Sequence, residues 1–415
     1  SAAGGSWSNG APNSKTAAVI SYDYTSLEDL NACSLTVTNG ANVIMSSGDN
    51  INLFGALTVS SGTFTLNNNA NLVQETDAAN TGNVVVKRTS ASLMRQDYAL
   101  WSAPVAGQQL QSFSPNTLSN RFYTYNPTTN NYTVVASPST TDFEIGKGYL
   151  IRMTNNHSDT PLAWTGSFSG APNNGPYSVP VTIGTYNAIG NPYPSAIDAD
   201  AFINDNGIVE ALYFWRKTNN AATSSYATYT TAGGVSNSAG DPLGLTPNGM
   251  IQVGQGFIAK ATSTSFDFEN SMRVGDNGNQ FFRLIQEDKN RIWLNLTSAS
   301  GYFGQTLVAY MDRATLGIDA AIDGRYINDY ATALTSLIDS EEFAIQGRPL
   351  PFETSDRVAL GFKSTEAGSF TININQVDGL FETENQVIYL HDHLTNTIHN
   401  LSDGAYNFAS EVGVF

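Results

Sequence analysis

The chain of 415 residues holds one cysteine, Cys33, so no disulfide can form within it. Cys33 lies beside an alternating apolar run and reads as a small core residue rather than a reactive thiol. Charged residues are scarce, at 13%. That is low for a cytosolic enzyme and suits an all-β protein with many Gly, Asn, Ser and Thr turns. Basic residues are the scarcer sign: 19 Lys and Arg stand against 36 Asp and Glu, a net charge of −17. Such a chain lacks the means to track a phosphate backbone, which argues against nucleic acid as a partner. No apolar run approaches the roughly 20 residues of a membrane-crossing helix, so the chain is not expected to span a membrane that way. No charged and apolar leader opens it at Ser1; in an exported protein, the leader is expected to have been removed.

Catalytic signatures are missing too. There is no H-E-x-x-H, no G-x-S-x-G and no C-x-x-C, so no catalytic residue, cofactor or enzyme activity is expected. Of the four histidines, His157 sits in a polar loop, while His391 and His393 alternate onto one face of a strand with His399 on its partner. A zinc site is conceivable there, but exposed hairpin positions are the commoner case. Gly146-Lys147-Gly148 lies in a strand pattern without phosphate-loop spacing, so its glycines are expected to permit a bulge or a close backbone approach. The five tryptophans are spread one or two to a domain, as in core packing. Trp215, with Tyr213 beside a long insertion, is the one weak ligand-binding pair. Asp198, Asp200 and Asp205 are weak calcium candidates, but Phe202 stands where a third oxygen ligand should. Ser195 or Asp198 capping a short helix that ends at Gly207 is the preferred reading.

Repeats give the organisation. Leu35-Thr-Val-Thr-Asn-Gly40 returns as Leu57-Thr-Val-Ser-Ser-Gly62, an offset of 22, and each copy precedes a second short strand, Val43–Met45 or Phe64–Leu66. Ala70–Val73 reads as a partial third copy. Short strands between Gly/Asn turns at a fixed period mark a β-solenoid, assigned to residues 1–86. A larger duplication follows. Tyr98-Ala-Leu-Trp-Ser-Ala-Pro104 matches Tyr186-Asn-Ala-Ile-Gly-Asn-Pro192 at an offset of 88, and Gly146–Ile151 matches Gly254–Ala259 at 108. Residues 87–184 and 185–278 are therefore expected to be related β units, packed as a pseudo-symmetric pair. The second carries an insertion at about 219–243, whose Ala, Ser, Thr and Gly content suggests a surface loop.

Residues 279–415 form the last domain. From 281 onward it holds 18 acids against 8 bases. Seven strand-like segments are enough for a β-sandwich. Its motifs run Gln346-Gly-Arg-Pro-Leu-Pro-Phe352, Leu360-Gly-Phe-Lys363, Asp378-Gly-Leu-Phe381, Ile388-Tyr-Leu-His-Asp392, Gly404-Ala-Tyr-Asn-Phe408 and Gly413-Val-Phe415. In this order they resemble the C-terminal sorting domains of type IX secretion substrates in Bacteroidota, closest to the SprB-like class of gliding-motility adhesins. The Gly190-Asn-Pro-Tyr-Pro-Ser195 segment also recurs in such surface proteins. The resemblance implies export across the outer membrane to the cell surface, with the outer-membrane translocon and its shuttle barrel as partners. It also implies a recognition role for Gly404, Tyr406, Phe408, Gly413 and Phe415. In that family about one more strand usually follows the position of Phe415, so the domain is expected to be cut short. The upstream modules are expected to be a non-enzymatic adhesin or stalk. The alternative is the accessory, carbohydrate-binding portion of a secreted hydrolase. Surface polysaccharide is a candidate ligand under either reading.

Overall fold

The computed structural model describes residues 2–3, 6–215, 226–237, 246–275, 289–327 and 332–415. It is an all-β molecule. By internal contacts the chain divides into two compact units, Ser1–Asn206 with Met250–Phe282, and Gly207–Gly249 with Arg283–Phe415.

The first unit begins with a solenoid of about three coils, each with three short strands. Ala17–Ile20, Ser34–Val37 and Leu57–Val59 stack in parallel on one face, Tyr24–Thr25, Asn42–Met45 and Thr63–Leu66 on the second, and Leu30–Ala32, Asn50–Leu53 and Asn71–Gln74 on the third. Leu35 pairs with Leu57, the 22-residue offset seen in the sequence, while the other two faces repeat at 21. Alternation sends Ile20, Val37, Met45, Leu53, Phe64 and Leu66 inward, all essentially inaccessible; each contributes about 1.5–3 kcal/mol by burial. Glycine is needed where a turn backs onto the coil beneath it. Gly62 has φ +99°, and a Cβ there would stand 2.1 Å from the Ala41 carbonyl oxygen; Gly82, at φ +83°, meets the Val59 carbonyl oxygen at the same distance. Two expectations change. Asn71–Gln74 is a third-face rung rather than another copy of Leu35–Val37, because all the rungs share one apolar alternation. Cys33 sits partly exposed at a coil corner, not in the core.

The solenoid passes without a break into the first β unit. Val84–Leu93 adds to the second face in parallel and pairs antiparallel with Leu162–Pro172, so the expected boundary at 86/87 falls inside a strand. Tyr98–Trp101 then pairs with Tyr149–Arg152, Tyr98 opposite Arg152. In the second copy Tyr186–Gly190 pairs with Gly256–Lys260, Tyr186 opposite Lys260. The registers match at the offsets of 88 and 108. The copies also cross each other by exchange. The Gly190 N–H donates to the Gly146 carbonyl at 3.0 Å, and the equivalent Ser102 N–H donates to the Gly254 carbonyl at 2.9 Å. Likewise Lys147 bridges Ile189 and Gln255 bridges Trp101. This is a local pseudo-twofold, and the glycines make it possible. A Cβ on Gly148 would stand 2.8 Å from the Ile189 carbonyl oxygen, and one on Gly256 2.7 Å from Leu100 Cγ. Pro104 and Pro192 both turn toward Asn173, whose backbone N–H and side-chain amide donate to their carbonyls.

In the second unit Leu212–Trp215, Tyr226–Thr230 and Gly233–Val235 form a meander. The described part of the expected surface insertion, 226–237, is therefore mostly buried strand; 219–225 and 238–243 lie outside the described residues. Its small residues serve close packing rather than a loop: a Cβ on Gly233 would stand 3.0 Å from Leu307 Cδ2, and Gly234 accepts the Trp293 indole N–H at 2.9 Å. The C-terminal strands hydrogen-bond in one continuous path. Its order is Tyr406–Ser410, Gly368–Val377, Asn290–Ser298, Phe303–Tyr310, Glu341–Arg348, Ala333–Ile338, Leu360–Ser364 and Gly413–Val414. The sequence suggests two aligned sheets; the structure has one curled sheet. Its two end strands are joined by residues 411–412, so it curls back until its ends are neighbours in the chain. Tyr389–Asp392 and Thr397–Asn400 form a separate hairpin.

Candidate functional site

Two places gather the residues singled out by the sequence. The first is the Gly190–Ser195 turn. Asn191 holds it from within: its amide donates to the carbonyls of Ser195 at 2.7 Å and Ile251 at 3.1 Å, while its oxygen accepts the Tyr193 N–H. Tyr193 is fully buried and donates to the Gly175 carbonyl at 2.8 Å. The turn closes the last rung of the solenoid's third face. Leu72 N–H donates to Pro194 O, and Ala196 N–H donates to Asn71 Oδ1. Arg273 locks this junction. Its guanidinium lies 4.7 Å over the Tyr193 ring and donates to Ser195 Oγ, Asn174 Oδ1, Asn270 Oδ1 and the Leu72 carbonyl. Burial lowers its pKa to about 10, with the tyrosines opposing that shift. No motif marks Arg273 in the sequence, because its partners lie up to two hundred positions away.

Asp198 caps the helix Ala199–Asp205, its Oδ1 accepting the N–H of Asp200 and Ala201. Asp205 lies exposed at the other end of that helix. No group of three or more His, Cys, Asp or Glu side chains that could hold a metal occurs among the described residues. The His391 and His393 rings meet at 4.2 Å, tilted by 44°, but His399 opposes Leu390, so it faces the other side of the hairpin and meets Tyr406. Tyr213 is a core residue, 0% exposed, with its hydroxyl on the Arg325 carbonyl at 3.0 Å. Trp215 packs edge-on to Tyr226 at 5.3 Å, and Tyr226 lines a small pocket with Thr228, Gln305, Tyr326 and Thr332.

The second place is the C-terminal edge. Phe362 is its hub, with ring contacts to Phe370 at 5.0 Å, Phe408 at 5.2 Å and Phe415 at 6.0 Å. Phe408 arrives on one end strand of the curled sheet and Phe415 on the other. Tyr406 stacks on Phe408 and donates to Asp392 Oδ2 at 2.7 Å. Phe415 and Phe362 exchange both backbone hydrogen bonds, and Val414 pairs with Lys363. Gly413 lies under the Phe415 ring: a Cβ there would stand 2.8 Å from Phe415 Cζ. Gly404 forms the turn before Tyr406 at φ +153°. Val414 is 82% and Phe415 49% exposed, so this end strand presents its outer edge and apolar side chains together.

These features define an all-β protein in which a capped solenoid leads into a duplicated β unit, and a curled C-terminal sheet makes up most of the second unit. By sequence the chain belongs to the family described as Domain of unknown function (DUF8693), which it matches over residues 3–415. No curated protein and no solved structure matches it.

Proposed function

We propose that this is a cell-surface protein exported by a type IX secretion system. Its C-terminal sheet carries the address, and its solenoid and paired β units form a non-enzymatic adhesin or stalk. The observation that carries the reading is the exposed end strand Gly413–Val414. It is held to the sheet through a short register with Leu360–Ser364, and its outer edge offers N–H and C=O groups to a further strand. A translocon or shuttle component that completes this edge would recognise Gly413 and Phe415 through the backbone and the exposed ring. Gly404, Tyr406 and Phe408 act from the opposite end of the sheet by holding Phe362 in place. The test is expression of the chain carried through to its natural C-terminus, behind a cleavable leader, in a type IX-competent bacterium and in the same strain lacking the translocon. Surface or medium localisation is expected only in the competent strain. Arrival at the surface in both strains, or retention in both with the protein folded, overturns the proposal.

A further inference from the structure

The first β unit carries a surface that the export reading does not use. Strand alternation and register place Tyr98, Arg152, Tyr123, Tyr125 and Tyr132 on one face of its four-stranded sheet. Tyr98 and Tyr123 meet edge-on at 5.9 Å, and Tyr125 and Tyr132 at 5.1 Å. All four rings remain partly exposed. Arg121 donates to the Tyr123 hydroxyl at 3.2 Å, and Arg152 reaches Asn155 Oδ1 at 3.4 Å. Neither guanidinium has a carboxylate partner among the described residues, and the Nε of each is without a hydrogen bond. Arg152 is 6% exposed, so its charge is held under the tyrosines with no carboxylate in ion-pair contact among the described residues.

Charge makes this face unlike its surroundings. In a chain of net charge −17, residues 98–141 contain no Asp or Glu at all. A nearly buried cation with no counter-ion is costly, and an anionic ligand relieves that cost when it arrives. The second copy repeats the pairing at the same register: Lys260 stands opposite Tyr186, its ammonium 5.9 Å from that ring. Arginine forks fit carboxylates. Partly exposed rings with polar rims fit the mixed apolar and hydroxylated faces of a sugar. A purely acidic peptide uses the charge and leaves the rings idle; a neutral glycan uses the rings and leaves the charge unmet.

We propose that the tyrosine–arginine face of the first β unit binds an acidic, uronate-bearing polysaccharide. Its carboxylates meet Arg121, with Arg152 adding positive charge from beneath, and its ring faces lie against the tyrosines. The proposal is independent of how the protein reaches the surface. Isothermal titration of the full chain against polygalacturonate, neutral dextran and polyglutamate tests it. Polygalacturonate should bind, and more weakly as salt rises. Arg121→Gln should weaken that binding by about tenfold or more. Arg95→Gln should leave it unchanged, because Arg95 is already engaged by Asp159 at 2.8 Å. Matching melting curves would establish that both variants are folded. Dextran binding as tightly as polygalacturonate removes the charge argument. Polyglutamate binding as tightly removes the glycan. Binding to none of the three, or an unaffected Arg121→Gln, overturns the site.

Discussion

Arg273→Met tests whether the junction between the solenoid and the paired β units is held by one buried cation. Methionine fills much of the same channel but cannot donate. The Leu72 carbonyl and Asn174 Oδ1 then lose their guanidinium donor, at about 1–3 kcal/mol each. Ser195 can rotate, and Asn270 Oδ1 also accepts the Gly175 N–H, so these two add less. Loss of the stack on Tyr193 adds about 1 kcal/mol. Against this stands relief of a buried charge. Arg273 sits at a pKa of about 10 against an ordinary 12.5, which corresponds to roughly 3 kcal/mol recovered. The balance is a net loss of about 2 kcal/mol, and it should be local. A chain of two compact units need not unfold in one step, so a single midpoint is a poor readout. Hydrogen exchange by mass spectrometry reads the place directly. Peptides covering Asn71–Gln74 and 193–198 should exchange faster, while those of the curled C-terminal sheet should not change. Unchanged protection at 71–74, or an equal increase across both units, would refute the clamp.

Two further predictions concern other parts of the fold. Gly148→Ala and Gly256→Ala should each destabilise by about 1–3 kcal/mol in chemical denaturation, because each added Cβ meets the opposite copy of the pseudo-twofold; a cost at only one of the two positions would contradict that symmetry. Asp323 is pushed up to about 6 by burial, against backbone N–H bonds from Asp319 and Gly347 at 2.6 Å that favour its ionised form. Its folded pKa lies above the ordinary 3.8, so its contribution is fully present below about pH 4 and is lost as pH rises through about 6. Wild-type stability measured against Asp323→Asn should therefore fall by up to about 3 kcal/mol across that window, and parallel curves would exclude the linkage.

How much of this was legible depends on whether a feature is written as a local pattern or as a pairing. The solenoid's 22-residue repeat is local, and its register emerged directly as Leu35 opposite Leu57. The third strand of each coil was harder to see, because Leu30–Ala32 and Asn50–Leu53 have the same apolar alternation as their neighbours. Ala333–Ile338 of the curled sheet carries no strand signal in the sequence: Thr335 and Ser336 are buried alongside Leu334, so no polar face alternates. Residues 226–237 read as loop in the sequence, because Ala, Thr and Gly in a run serve a loop or a tightly packed strand equally well. At the C-terminal edge, Phe408 and Phe415 were legible as strand residues. That they meet on Phe362 from opposite ends of one sheet follows from curling, which no local pattern encodes. Arg273 is the extreme case: its partners at 72, 174, 195 and 270 are assembled only by the fold.

The duplication shows why offsets can be more informative than motifs. Gly-x-Gly at 146–148 or at 254–256 alone is a weak signal, compatible with a phosphate loop, a bulge or a turn. Two copies related by offsets of 88 and 108 restrict the choice, because both must satisfy one geometry. A phosphate-binding role would require both glycine pairs to precede helices, and both lie in strand surroundings. Close backbone approach is the reading open to both copies, and the exchanged bonds of Gly190 with Gly146 and of Ser102 with Gly254 satisfy it. The copies diverge at the point where they meet. Ser102 in one is Gly190 in the other, and a Cβ on Gly190 would stand 2.4 Å from that of Ser102. Two side chains cannot occupy the point where the copies meet, so the exchange tolerates serine in one copy only because the other keeps glycine.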